Sequence, residues 1–196
     1  MVLVVMVAIA GLIVPLVGET QDLAETQTTR ASLERLRATI LGASPGDGYL
    51  ADCRRLPRRL ADLYTTPNDD AAYLPADMWT FDPSTARGWR GPYVRDASGR
   101  YAVDVGAGFV AEYGADGDPC ALDGWGRPIV LQFPTTGEAS PARYLPGAVA
   151  ATNARLISAG PDGVVQSPLA AVTPGDLSAA LRGDDVVLFL RVADLP

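Results

Sequence analysis

Residues 1–17 read MVLVVMVAIAGLIVPLV, a run of seventeen residues without a charged side chain. As a helix, this run would be about 25 Å long. The hydrocarbon core of a bilayer is about 30 Å thick, so the run is slightly short for a comfortable span. A secretory signal peptide needs a basic residue before its apolar run, whereas the first basic residue of this chain is Arg30. The run therefore predicts a retained apolar helix, of which an ordinary uncleaved signal anchor is one form.

The residues after this run continue the helical pattern. The segment from Glu19 to Leu41 contains no proline, and its apolar residues recur near helical spacing. These apolar residues are Leu23, Leu33, Leu36 and Ile40. Gly42 is the first of several helix-breaking residues that follow. The sequence predicts one long helix that is apolar in its first half and amphipathic in its second, with a bend near Pro15.

Composition excludes several classes of function. The chain has 196 residues and a formal net charge of -7, and its sixteen basic residues are all arginine. A net acidic chain lacks the basic face that binding to nucleic acid requires, so we expect no nucleic-acid partner. The absence of histidine excludes Ser-His-Asp and Cys-His catalysis and histidine-ligated zinc or haem.

Residues 42–196 are expected to form one small α+β domain with long loops. Strands that follow a helix without regular alternation favour an antiparallel sheet packed on that helix. The predicted strands are Tyr101–Val105, Phe109–Tyr113, Pro128–Phe133, Arg155–Ser158 and Asp185–Val192, the first two pairing as a hairpin. We further expect a short helix within Asp52–Tyr64, a long loop over Thr65–Arg90 and a helical turn at Leu177–Leu181.

Two local features leave alternatives open. Four arginines (Arg54, Arg55, Arg58 and Arg59) form a basic cluster, which is either a solvated helix face or a docking patch for an acidic neighbour. Cys53 and Cys120 either form a disulfide, if the domain lies outside the cytoplasm, or remain two unpaired, half-buried thiols. Two cysteines without histidine do not make a zinc site.

Three motifs follow the apolar run in a fixed order. They are GWRGPY at residues 88–93, LDGWGRP at 122–128 and ISAGPDG at 157–163, with GDD later at 183–185. Together with the amino-terminal run, this order resembles the major (G-type) pseudopilin of type II secretion systems, within the type IV pilin-like family. The resemblance covers most of the chain. It implies a pilin-like α+β fold, in which a long amino-terminal helix packs on a small antiparallel sheet.

The resemblance also implies how the protein is made and placed. In that family, a prepilin peptidase cuts after a glycine and leaves a glutamate just before the apolar run. The present sequence shows neither of these residues, so our hypothesis is that the true start lies upstream and that Met1 is an internal methionine. The implied arrangement is a spine helix over residues 1–41, with its first half in the inner membrane, and a periplasmic domain over residues 42–196.

A non-enzymatic structural role follows from the resemblance. The expected function is that of a polymerising subunit of the pseudopilus, a filament that moves proteins across the outer membrane. Its implied partners are further copies of itself, other pseudopilins, the inner-membrane assembly platform and the prepilin peptidase. The alternatives are a minor type IV pilin-like subunit for adhesion, motility or DNA uptake, and a membrane-anchored periplasmic enzyme or binding domain.

The acidic loops near the carboxyl end suggest a calcium site. Calcium takes six to eight oxygen ligands, and major pseudopilins often bind it in this region. The resemblance implies that Asp162 is a calcium ligand, because this residue matches the family motif. We infer Asp184 and Asp185 as further ligands because they precede the last strand. The alternative is that the Asp162 side chain only caps a local turn by accepting hydrogen bonds from nearby backbone amides.

The aromatic residues of the motifs are predicted to be structural. Trp89, Tyr93 and Trp125 stand beside glycine and proline, and such rings fix loops by burying apolar area. A sugar-binding platform is the less favoured alternative, because no matched polar set lies beside these rings in the sequence.

Overall fold

The long amino-terminal helix ends where the sequence predicts. The computed structural model describes residues 2–44, 46–136 and 141–192, and the side chains of residues 2–20 and of residue 105 lie outside this description. Helix α1 spans Val2–Leu41. Gly42 follows it with a φ of 90°, a left-handed conformation that favours glycine and ends helices. The predicted helix and its stop signal are therefore confirmed.

Membrane insertion concerns the first half of this helix. In the part of the chain whose side chains are described, no helix has both the length and the apolar character that a membrane span needs. The predicted membrane-embedded half falls mainly on residues 1–20, whose side chains lie outside the described residues.

Among the described side chains of α1, from residue 21 onwards, the buried face begins at Thr29. Thr29 is the first described side chain that is buried, and Leu33, Leu36 and Ile40 follow it in the main core. Leu23 is 62% exposed, although the sequence pattern assigned it to the same stripe. The prediction for Leu23 is wrong because, among the described side chains, the helix is covered by the globular domain from the Glu25–Thr29 turn onwards.

A three-stranded antiparallel sheet packs against α1. Its strands are β3 (Val130–Gln132), β4 (Arg155–Ser158) and β5 (Val186–Phe189), in the order β3-β4-β5. Helix α1 contacts β4 and β5. These strands confirm the prediction at residues 155–158 in full, and the central parts of the two longer predicted strands. The chain is α+β, with small antiparallel sheets and one long amino-terminal helix.

The predicted hairpin at residues 101–113 is wrong. The small second sheet pairs β1 (Gly99–Arg100) with β2 (Pro119–Cys120) instead. The second segment turns at residues 110–113, where the Tyr113 amide donates to the Val110 carbonyl at 3.0 Å, and such a turn cannot continue a ladder. The backbones of the two segments therefore pair at one bridge, between Asp104 and Phe109.

Short helices and turns make up much of the remaining domain. Helix α2 is Gly48–Cys53, α3 is Val149–Thr152 and α4 is Ala179–Arg182. Single 3₁₀ turns occur at Leu60–Leu63, Ala76–Met78, Val105–Ala107 and Ala142–Tyr144. The helix expected within residues 52–64 is thus a 3₁₀ turn, and the regular helix lies earlier, at α2.

The sheet separates two apolar clusters. Successive strand residues point to opposite faces, so β4 contributes Leu156 to the main cluster beneath α1 and Ile157 to a smaller one. The smaller cluster also contains Tyr101, Phe109 and Cys120. Each face of β4 is therefore buried, which explains the continuous apolar character of its central residues.

The LDGWGRP turn (residues 122–128) docks directly on α1. The Gly124 amide donates to the Thr29 hydroxyl at 2.9 Å, and that hydroxyl donates to the Glu25 carbonyl at 2.8 Å. A Cβ atom at Gly124 would overlap the Glu25 carbonyl. Only glycine permits this close approach between the two backbones, and the contact joins the globular domain to the helix.

We predict that Gly124→Ala destabilises the full chain by about 2 kcal/mol, because the added methyl group forces the turn away from α1. Gly175→Ala is the matched control, since its Cβ would meet only the Thr173 Oγ1 atom at an ordinary 3.7 Å. Chemical denaturation of both variants measures the difference. Equal stability of the two variants would show that the turn does not hold the helix.

Candidate functional site

Asp123 organises the turn that contacts α1. Its carboxylate is buried, and Oδ1 accepts from the amides of Trp125 and Arg127 at 2.9 Å each. Oδ2 accepts from the Ser158 hydroxyl at 2.6 Å. The turn is therefore tied to the end of β4 as well as to α1, and the motif that supports the family resemblance has a structural task in this chain.

The GWRGPY segment (residues 88–93) contacts both α2 and the 3₁₀ turn at residues 60–63 and so connects them. Buried Asp52 of α2 accepts from the Tyr93 hydroxyl at 2.8 Å and from Arg90 Nε at 3.1 Å. The Trp89 indole donates to the Asp62 carbonyl at 2.9 Å. Trp89 and Tyr93 also pack edge to face, with ring centroids 5.9 Å apart. These contacts agree with the predicted role of the aromatic residues as loop anchors.

Residues 159–185, the carboxyl loop, bring two of the three predicted calcium ligands together. The Asp162 amide donates to Asp184 Oδ2 at 2.9 Å. Asp162 Oδ1 accepts from the Val164 amide at 2.8 Å, and its Oδ2 accepts from Gln166 Nε2 at 2.6 Å. The first of these two bonds is the aspartate-capped turn that was the alternative interpretation of Asp162.

Asp185 anchors the base of the carboxyl loop. Its side chain is buried, and Oδ2 accepts from the amides of Gln166 and Ser167 at 3.0 and 2.6 Å. Burial raises the pKa of this carboxyl above its ordinary value, against the opposing effect of the hydrogen bonds from Ser167 and Gln166. These contacts engage one carboxylate oxygen of Asp185 with the loop backbone.

The three aspartates do not fit calcium in this arrangement. Of their six carboxylate oxygens, four accept hydrogen bonds inside the loop, while Asp184 Oδ1 and Asp185 Oδ1 are buried without a hydrogen-bond partner. Calcium needs six to eight converging oxygens. Over the described ranges, no group of three or more His, Cys, Asp or Glu side chains is placed to hold a metal ion. Calcium binding stays a prediction of the resemblance.

A groove of about 610 Å³ runs between α1 and β5, bordered by the carboxyl loop. Its charged lining residues are Asp22, Arg30, Glu34, Arg182, Asp184 and Asp185. The indole of Trp125 also faces it. Interspersed carboxylates and guanidinium groups suit contact with a charged protein surface better than burial of an apolar ligand.

Two arginines of the cluster form ion pairs with carboxylates of the chain itself. Arg58 Nη2 lies 2.7 Å from Asp69, and Arg59 lies 3.1 Å from Asp69 and 3.2 Å from Asp118. Arg55 stacks over the Tyr73 ring instead, whereas Arg54 is exposed at the end of α2. Two of the four arginines therefore hold loops together, which weakens the interpretation as a docking patch.

Cys53 and Cys120 are free thiols in this structure. They lie in different apolar clusters, and both are more deeply buried than the half-buried alternative anticipated. Burial raises the pKa of Cys53 to about 12 and that of Cys120 to about 11. Neither thiol is reactive in the folded state, since the thiolate is the nucleophile. Of the two open alternatives, the structure has the unpaired thiols and not the disulfide.

Arg155 is an organising residue that the sequence pattern did not single out. Its side chain is fully buried in β4, where Nε donates to Gln132 Oε1 at 2.6 Å. Its other nitrogens donate to the carbonyls of Ala171 and Pro168 at 2.7 and 2.8 Å. The only sequence signal for this role was that Arg155 is one charged residue within a short apolar strand. The backbone carbonyls that accept its hydrogen bonds lie further along the sequence, so the pattern could not reveal them.

Comparison with known proteins adds no relative. The chain matches no protein-family model, no curated protein and no solved structure. The resemblance to the pseudopilins thus depends on the residues and their order alone.

The buried Asp62 carboxylate, beneath the arginine cluster, predicts a pH dependence. Burial raises its pKa to about 6, although the amides of Arg58 and Arg59 donate to it at 2.8 and 3.2 Å. The folded state then holds the proton more tightly than the unfolded state. The stability that Asp62 contributes is complete below about pH 4 and is lost as the pH rises through about 6.

We therefore expect Asp62→Asn to gain stability relative to wild type between pH 4 and pH 7, by up to about 3 kcal/mol. Asp96→Asn, at an exposed carboxylate, is the control and should follow wild type at every pH. Denaturant midpoints across this range give the comparison. A difference in denaturant midpoint between Asp62→Asn and wild type that stays the same from pH 4 to pH 7 would contradict the prediction.

Proposed function

We propose that the chain is a structural subunit of a type II secretion pseudopilus. It is a polymerising pilin-like protein, held in the inner membrane by the first half of α1, with its globular domain in the periplasm. Its partners are further copies of itself, other pseudopilins, the inner-membrane assembly platform and a prepilin peptidase. In this role the protein contributes surfaces for assembly and performs no chemical reaction.

The observation that carries the proposal is the place where the domain meets the helix. The LDGWGRP turn contacts α1 at Glu25 and Thr29, and the described side chains of residues 21–24 are exposed. Helix α1 continues from Thr29 back to Val2, a length of about 40 Å. Beyond this contact the helix carries the apolar run of residues 1–17, and an apolar stretch of this kind needs a partner to cover it. A bilayer before assembly and neighbouring helices afterwards would supply that cover.

The motif contacts support the same proposal. Asp52 with Tyr93, and Asp123 with Thr29 through the turn, are internal structural links. The motifs thus hold a small domain on a long helix, which is what a filament subunit requires. The charged groove beside α1 adds a surface that neighbouring subunits could contact.

The mature amino terminus of the natively expressed protein tests the membrane and processing part of the proposal. Mass spectrometry should find a methylated residue ahead of Met1, with a glutamate between that residue and the apolar run. A start at Met1, or cleavage near Gly18, would contradict prepilin processing and favour an anchored or secreted domain.

Cross-linking tests polymerisation. We expect Leu23→Cys, on the exposed part of α1, to give a ladder of dimers, trimers and larger species with a thiol-reactive cross-linker in cells that express the secretion system. Cys53 and Cys120 are buried and should not react. Ala111→Cys is the control at an exposed site outside α1 and should give less of the ladder. Monomers alone from Leu23→Cys would favour an anchored enzyme or binding domain.

A further inference from the structure

Arg127 occupies the inner side of the first turn of the carboxyl loop. Its Nη1 atom donates to the Gly160 carbonyl. At Gly163, where φ is 76°, a Cβ atom would lie 2.6 Å from the guanidinium carbon of Arg127. The guanidinium is therefore packed against the turn at residues 160–163, and it brings a positive charge to the backbone carbonyl that faces it.

Gln166 links the beginning of the carboxyl loop to its end. Its Nε2 atom donates to Asp162 Oδ2 at 2.6 Å, and its Oε1 accepts from the Asp184 amide at 3.3 Å. A Cβ atom at Gly183 would overlap this amide oxygen. The side chain of Gln166 thus fills the space between the two ends of the loop and bonds to both.

The two ends also touch through their backbones. Gly160 has a φ of 62°, and a Cβ atom there would overlap the Asp184 carbonyl. The Asp162 amide completes the contact by donating to Asp184 Oδ2. Glycine at residue 160 is required both by its left-handed backbone and by this approach.

We infer that Arg127 and Gln166, together with the backbone bonds to Asp184 and Asp185, close the carboxyl loop, so that the order of this loop does not require calcium. A bound cation would hold carbonyl and carboxylate oxygens together. Here the Arg127 guanidinium donates to the Gly160 carbonyl. The Gln166 side-chain amide donates to Asp162 and accepts from the Asp184 amide. Arginine suits this task because its charge is permanent and its donors are fixed in one plane. The chain departs in this respect from what its resemblance to calcium-binding pseudopilins implies.

The inference has a consequence for assembly, which depends on the proposed function. Pro161 and residues 182–185 of the carboxyl loop form one wall of the groove beside α1. If the chain closes this loop by itself, that wall is present before any metal is added. Assembly of the filament should then be insensitive to chelators.

Thermal unfolding of the full chain in detergent, without and with calcium, tests the inference. With EGTA or with about 5 mM CaCl2, well above the affinities of weak extracellular sites, we expect melting temperatures within about 1 °C of each other. The same concentration of MgCl2 controls for ionic strength. A rise of about 5 °C or more that is specific to calcium corresponds to saturable binding by the folded state, and it would overturn the inference.

Two variants test the named residues. Arg127→Ala and Gln166→Ala should each lower the melting temperature by about 3–6 °C. Each should also accelerate amide hydrogen exchange at residues 160–167 and 183–185 but not in α2. Arg95→Ala, at an exposed arginine, is the matched control. Because either variant alone could fail to fold, the other keeps the test decisive. Exchange in the loop equal to that of wild type would contradict closure by that residue.

Repeating the Leu23→Cys cross-linking in EGTA and in calcium distinguishes failure of this inference from failure of the proposed function. If the Leu23→Cys ladder forms equally in EGTA and in calcium, both are supported. A ladder that forms only with calcium overturns the consequence for assembly while leaving polymerisation intact. Monomers under both conditions contradict the proposed function, and the melting experiment still decides whether the loop needs calcium.

Discussion

The contact between the Gly124 amide and the Thr29 hydroxyl is the constraint on which the arrangement of the molecule depends. It sets where the globular domain begins to cover α1. The Asp123 carboxylate fixes the turn that makes the contact, and through Ser158 it connects the turn to β4. The carboxyl loop and its groove then take their places around this junction, because Arg127 of the same turn also reaches Gly160.

Buried aspartates are the main device that orders the loops of this domain. Asp62, Asp123 and Asp185 each accept from two backbone amides, and Asp52 accepts from two side chains. Carboxylate oxygens accept hydrogen bonds and can therefore satisfy buried amides in turns that lack regular structure. These aspartate carboxylates, which suggested a metal site in the sequence, are thus largely engaged in hydrogen bonds within the fold. This also explains why several acidic residues near one another do not amount to a ligand set.

The elements that the sequence predicted well depend on local or periodic signals. Helix α1 and its end at Gly42 follow from residue spacing and from a left-handed glycine. Strand β4 at Arg155–Ser158 follows from a short run between breakers. The hairpin at residues 101–113 failed because its second segment turns at residues 110–113, where the Tyr113 amide donates to the Val110 carbonyl. Alternation of apolar residues carries no information about such a turn.

The sequence by itself determined the long helix, the apolar character of its beginning, the α+β class and the absence of histidine chemistry. Those properties follow from composition and periodicity, which do not depend on distant partners. Tertiary structure alone decided that Arg155 is buried against the carbonyls of Ala171 and Pro168, and that the two cysteines lie in separate clusters. It also decided that Arg127 and Gln166 meet the carboxyl loop. Each of these contacts joins residues that are distant in sequence or depends on the path of a loop. No local sequence pattern determines which distant segment will pack beside a given residue.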